Sequence, residues 1–322
     1  MYTVTKEILY MPGLITNYLF GERSYQLLSP NYLKEIIRKN PNAYHMGLQG
    51  PDIFFYYLNP YMRKRKNNIC NILHEKSTGA FLDNLLEYTI VLETEDREIC
   101  LAYIAGFFCH YALDTHTHPY LYARMQQDLN DYPERRYEAF YYRRIETLMD
   151  TLLLKRLNHM EPSQLNLEAL VSLTKKERRI ISDCLLYAIR TTYHYRLSRK
   201  TLLKVITTVR RTCIFLQTNP QMRQRLVRFM ENHLKLSSSK TCFIYPEYQG
   251  DPEDYLNEGR RTWYTGEQRI PHNETFFELL NEANIFSNQI LESFDDYLAW
   301  HGSREHLIQT IGSLSYYTGE SC

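Results

Sequence analysis

Glycine and proline are scarce in this chain, 12 of each in 322 residues. The closely spaced turns that an all-β protein requires are therefore missing. A charge of one sign is missing too: 38 Lys plus Arg stand against 37 Asp plus Glu. No global field draws the chain to nucleic acid or to an anionic membrane, and the short basic run MRKRKN at 62–67 reads as solvated surface. No window supplies ~18 uncharged apolar residues, so no transmembrane helix is expected. The start carries Lys6 and Glu7 where a secretory signal would need an apolar run, and the expected localisation is cytoplasmic. Seven cysteines form no CxxC pair and no dense cluster, a pattern of reduced thiols rather than a disulfide framework. GxSxG, a Walker loop, GxGxxG and a Cys–His nucleophile arrangement are all absent. Nucleophilic hydrolases and nucleotide binders thus find no support.

What is present is helical periodicity, which predicts an all-α protein. Helices are expected at 28–40, 78–94, 97–114, 133–158, 163–172, 174–194, 198–217, 219–235, 274–297 and 303–312, with Thr78 and Thr94 as caps. Two stretches break the pattern. Residues 41–72 are punctuated by Pro, Gly and Asn, and a second irregular stretch covers about 237–272. The second carries Phe243, Tyr245, Tyr248, Tyr255 and Trp263, too many aromatics for a free tether. It is read as a loop packed over one domain spanning 1–322. Twenty-eight tyrosines, apolar bodies with polar tips, suit an interior that contains polar clefts.

The segment CHYALDTHTHP at 109–119 concentrates His110, Asp114, His116 and His118. Residues four apart on a helix are offset by only ~40°, so His110 and Asp114 share a face, and His118 joins them if the helix survives to Pro119. An imidazole and a carboxylate one turn apart can both reach a divalent ion. The competing reading is a helix C-terminus, where protonated histidines suit the dipole. The surrounding LAYIAGFFCHYALD is nearly unbroken apolar sequence, and buried charge there needs a partner or a metal. Asp52, after the turn in GLQGPDIFFYY, and His74, at HEKSTGAFL, offer further ligands of the same type. Alone, Asp52 reads equally as a cap and His74 as a surface residue. His45, near the same turn, reads as a cleft residue or a turn cap. His194 and His233 read as surface or packing residues, and Trp263 and Trp300 read equally as buried aromatics or as ligand contacts.

Taken together, MPGLITNYLFG at 11–21, GLQGPDIFFYY at 47–57, HEKSTGAFL at 74–82, LAYIAGFFCHYALDTHTHPYL at 101–121 and RRIETLMDTLLL at 143–154 resemble the bacterial zinc-dependent phospholipase C family. The late segments DYLNEGRRTW at 254–263 and ETFFELLNEA at 274–283 share the resemblance, which leaves 155–240 unassigned. The family is all-α, and its relatives include the fungal single-strand nucleases.

The resemblance implies a first zinc ion on Asp52, His74, His110 and Asp114, with Asp52 also a proton acceptor. It implies a weaker second ion on His118 and Glu146. The histidine expected one turn before Glu146 is Tyr142, a neutral phenol at pH 7 and a poor ligand; His116 is a substitute without family precedent. A third ion would need a histidine where this chain has Asn17, although its bridging carboxylate, Asp114, is present, so a third site is not expected. Asp150, one turn after Glu146, reads as an acceptor holding a ligand or an arginine. The implied activity is hydrolysis of a phosphoric ester, either a small phosphodiester or a phospholipid head group, by metal-activated water. The nuclease kinship finds no support in the balanced charge. The losses at 17 and 142 leave an alternative, a zinc-stabilised binding protein of the same fold with impaired catalysis.

Overall fold

The computed structural model describes residues 13–56, 68–131, 138–217, 245, 248–266 and 268–322. The basic run at 62–67, the helix expected at 219–235, His233 and Phe243 lie outside the described residues.

The organising element is a long helix, α6, Thr94–Asp131. Every residue from 99 to 115 on it is buried. A helix that is apolar all round can satisfy its surface only inside a protein, and neighbours cover it on all sides. These are α1 (Leu14–Leu27), α2 (Tyr32–Lys39), α3 (Pro41–Gly47), α5 (Thr78–Thr89), α7 (Glu138–Asn158), α8 (Lys175–Tyr193) and α10 (Phe276–Leu298). Helix α4 (Ile69–Glu75) precedes α5, α9 (Arg199–Leu216) packs on α8, and α11 (Arg304–Ile311) follows α10. The all-α class expected from the periodicity is what the chain adopts.

Helix starts follow local chemistry. Thr174, Ser198, Thr275 and Ser303 each accept a hydrogen bond at the first turn of α8, α9, α10 and α11, and Glu177 and Glu278 complete capping boxes. The expected cap at Thr78 is displaced: Ser77, in the left-handed region, is the N-cap, and Thr78 lies inside α5.

Several other elements depart from the pattern. The helix expected at 28–40 is confined to Tyr32–Lys39, because Asn31 caps it by accepting from Lys34 N. Pro41 then opens a new helix, for which its fixed φ suits the first turn, and Gly50–Phe54 follow as a 3-10 turn. Most of the described residues in the stretch 41–72 are therefore helical. The helix expected at 163–172 is two separate 3-10 turns, Pro162–Gln164 and Ala169–Val171, with the Asn166 side chain accepting from Ala169 N between them. Trp263–Thr265 and Ile270–His272 pair as two short antiparallel strands, with Trp263 opposite His272 and Thr265 opposite Ile270. Trp263 is buried and stacks on the His272 ring at 4.4 Å, whereas Trp300 is exposed, which excludes the burial alternative for it.

The helix expected to end near 114 does not end there. α6 runs through Pro119 to Asp131, so the histidine cluster lies in mid-helix, where the dipole reading has no purchase.

Two glycines set the closest crossing. A Cβ on Gly47 would stand 2.0 Å from Tyr103 O, and one on Gly106 would stand 2.1 Å from Tyr44 O. α3 and α6 touch backbone to backbone there, which brings the 3-10 turn after α3 down onto His110.

A candidate metal centre

Four side chains from three places in the chain meet beside α6. Asp52 comes from the 3-10 turn, His74 from the last turn of α4, and His110 and Asp114 from adjacent turns of α6. One ligand atom from each lies within 4.8 Å of the others, and all four residues are buried. His74 Nε2 is 2.9 Å from Asp52 Oδ1; His110 Nε2 is 3.0 Å from Asp114 Oδ2 and 3.7 Å from Asp52 Oδ2. Ligands about 2.0–2.2 Å from a tetrahedral zinc ion stand roughly 3.4 Å apart, so a small expansion would admit the ion.

Both imidazoles are oriented from behind. His74 Nδ1 is 2.8 Å from Cys70 O, and His110 Nδ1 is 3.0 Å from Leu48 O. A carbonyl can only accept, so each Nδ1 carries a proton and each Nε2 is the atom turned toward the centre, where its lone pair serves a metal once the ring is neutral. His110 Nε2 and Asp114 Oδ2 are buried with no hydrogen-bond partner of adequate geometry. Polar atoms so placed fit a divalent cation better than they fit each other. Burial drives the His110 imidazole down, but the facing Asp114 and Asp52 carboxylates outweigh it and hold the group at about 9. Burial also raises the Asp114 carboxyl, and His110 and His118 more than reverse this, leaving it below its usual range.

His118 sits one turn beyond Asp114, its Nε2 3.4 Å from Asp114 Oδ1. The two Asp114 oxygens therefore face different histidines. Burial keeps His118 below the usual imidazole range, which suits a neutral ligand. Asp52, Asp114, His118 and Glu146 line one small cleft together with Asn17, Thr16 and Thr117. All six residues expected from the sequence to bind metal are thus in one neighbourhood. Tyr142 is fully buried with its ring 6.1 Å from the His118 ring. His116, weighed as a substitute ligand, turns away: its Nδ1 pairs with Ala112 O at 2.9 Å and its ring packs on Phe286. His45 pairs with Glu22 at 3.0 Å, and His194 is the left-handed C-cap of α8.

Among the described residues, Asp150 holds neither a metal ligand nor an arginine. It accepts from Ile15 N at 3.2 Å, from Thr16 N at 2.8 Å and from Thr16 Oγ1 at 2.7 Å, and Tyr245 Oη donates to it at 3.1 Å. It closes the first turn of α1 onto α7, as a carboxylate at a helix N-terminus does.

The roof was not legible in the sequence. The segment 312–322 lies across the centre, and the Tyr317 ring stacks on His74 at 5.0 Å with 4° between planes, and on His118 at 6.2 Å. Tyr316 packs against His74 and His110 at 5.2 and 5.8 Å. The segment is anchored by Tyr316 N donating to His74 O at 2.9 Å and by Leu314 N donating to Tyr111 Oη at 2.9 Å. Only its Tyr-Tyr pair and two glycines hinted at a packed turn. Tyr317→Ala should uncover His74, lower stability by about 3 kcal/mol and weaken zinc retention by about tenfold. Chemical denaturation and zinc titration with a competing chelator would measure the two effects.

A family model described as zinc dependent phospholipase C matches residues 18–202. The chain belongs to that family. The match includes Asp52, His74, His110, Asp114, His118 and Glu146 but not the roof at 312–322. No curated protein and no solved structure matches the chain. No helix among the described residues is long and apolar enough to cross a membrane.

Proposed function

We propose that this chain is a zinc-dependent hydrolase of phosphoric esters, built as one domain and acting on a phospholipid head group or a small phosphodiester. The observation that carries this reading is the buried quartet Asp52, His74, His110 and Asp114, whose imidazoles are turned inward by backbone carbonyls. These four residues would hold the first ion, and His118 with Glu146 a weaker second one.

When bound, zinc supplies a Lewis acid that neutralises phosphoryl charge and lowers the pKa of water. The chain's own groups do the rest. Asp52, at the cleft wall, accepts the proton released as water attacks. Asp114 directs one oxygen toward each histidine and so couples the two halves of the site. Burial of the whole cluster strengthens each electrostatic contact. The packing of α10 on α6, and of the two short strands beside it, supports the one-domain reading.

Tyr142 favours a second reading. Its buried phenol ring occupies the place beside His118 where a further imidazole would complete the second ion, as expected of a zinc-stabilised binding protein. Elemental analysis joined to turnover of a chromogenic phosphodiester separates the two. The hydrolase should carry at least one zinc per chain and lose both metal and turnover in His110→Ala. Metal without turnover would favour the binding protein, and no metal in wild type would overturn both.

A further inference from the structure

The cleft that contains Asp52, Asp114, His118 and Glu146 has three carboxylates on its wall, and no lysine or arginine lines it among the described residues. A phosphate ester entering it needs hydrogen-bond donors for those phosphoryl oxygens that bound cations leave uncovered. Of the lining side chains, Thr16 already donates to Asp150 Oδ1 at 2.7 Å, and Thr117 donates to Leu113 O at 2.9 Å. His118 belongs to the second ion. The remaining donor is Asn17. It is 4% exposed, and its Nδ2 is buried without a hydrogen-bond partner. An amide left unsatisfied in an interior is costly unless something else occupies it in the working state.

The placement of Asn17 is fixed by Asp150. That carboxylate binds Ile15 N and Thr16 N, and Asn17 N continues into the helix by donating to Gly13 O at 2.8 Å. Asp150 is one turn from Glu146 on α7, so the clamp that docks α1 also holds Asn17 facing the ligand carboxylates.

We propose that the Asn17 side-chain amide donates a hydrogen bond to a phosphoryl oxygen of the bound ester and stabilises the charge that develops there during hydrolysis. This rests on the reading of the cleft as a phosphate-ester site. A neutral donor held rigidly in a buried cleft needs little reorganisation as charge builds, and loss of one such donor reduces kcat by about 10²–10³. Asp150 is the matching positioning residue.

The test uses the zinc-loaded full chain with Asn17→Ala and the isosteric Asn17→Asp, each checked for an unchanged melting transition. Zinc per chain is measured by elemental analysis, affinity for inorganic phosphate by calorimetry, and phosphodiester turnover by steady-state kinetics. Both variants should retain wild-type zinc, bind phosphate about tenfold more weakly and lose kcat with little change in KM. Asn17→Asp should suffer more, because it adds a carboxylate where a donor stood. Loss of zinc in Asn17→Ala would overturn the proposal by making Asn17 a ligand. Unchanged phosphate affinity and kcat would overturn it by making the amide idle, and so would a wild-type protein that binds no phosphate. If the wild type binds phosphate yet hydrolyses no phosphodiester, the hydrolase reading fails, and the phosphate titration alone decides the role of Asn17.

Discussion

Gly50→Ala should empty the metal centre. Gly50 has φ +47°, a left-handed conformation that an L side chain adopts at a cost of about 1–2 kcal/mol. The larger problem is contact. A Cβ there would stand 2.1 Å from Cδ2 and 2.6 Å from Nε2 of the His110 ring. The imidazole lies directly against the Gly50 backbone, and it cannot give way without moving a ligand. If the ring shifts, the bond from Nδ1 to Leu48 O breaks and Nε2 leaves the centre. If the turn shifts, Asp52 leaves instead. Either way one of four ligands is lost, and zinc per chain should fall well below that of wild type. Gly250→Ala is the control: Gly250 has φ +84° with open space around its Cα, so it carries the backbone penalty without the clash. It should lose a similar 1–2 kcal/mol of stability and keep its zinc. Equal zinc loss in both variants would mean that general destabilisation, rather than the seating of His110, empties the site.

The helices that position this centre were legible because their signals are local. Capping residues such as Thr174 and Thr275 act within one turn, and the HxxxD spacing of His110 and Asp114 reports a shared face directly. The 3-10 turn bearing Asp52 was harder to see, since the Pro and Gly that start helical turns here are the residues that usually mark a break. Pro119 misled in the same way. It removes its own N–H and crowds the preceding turn, yet α6 continues past it, with Tyr120, Leu121, Arg124 and Met125 buried beyond it. The groups that finish the centre were not readable. Leu48 O reaches His110 across 62 residues of sequence, and Asp150 reaches Thr16 across 134. Tyr317 stacks on His74 from the far end of the chain. None of these contacts leaves a spacing or a periodicity, because each exists only once the helices have packed.

The charge arrangement of the centre leads to opposite pH responses with and without zinc. Without an ion, His110 titrates at about 9, above the ordinary value of 6.5 that it recovers on unfolding. A base whose folded value is raised contributes stability that is fully present below 6.5 and is lost as pH rises through the folded value. For His110 that contribution is on the order of 3 kcal/mol. Buried His116 and His118, both held below the ordinary range, are neutral in the fold but still lose their protons near 6.5 in the unfolded chain, so they oppose the His110 slope at about pH 6.5 and fade above about pH 7. Asp114, held low, is ionised over this whole range. The buried thiols of Cys70, Cys109, Cys184 and Cys213 are all pushed upward by burial and act in the same direction, but only near and above pH 9. Chelator-treated protein should therefore lose stability between about pH 7 and 8, before the thiols contribute, and His110→Gln should flatten that slope. Zinc reverses the dependence. The ion requires His110 deprotonated, so its affinity rises as the proton becomes easier to remove, and occupancy adds about 4 kcal/mol when free zinc is a thousandfold above its dissociation constant. Melting curves of zinc-loaded and chelated protein should consequently diverge as pH rises from 6.5 to 8. Parallel curves would mean that the ion does not displace the His110 proton, and that His110 is not a ligand.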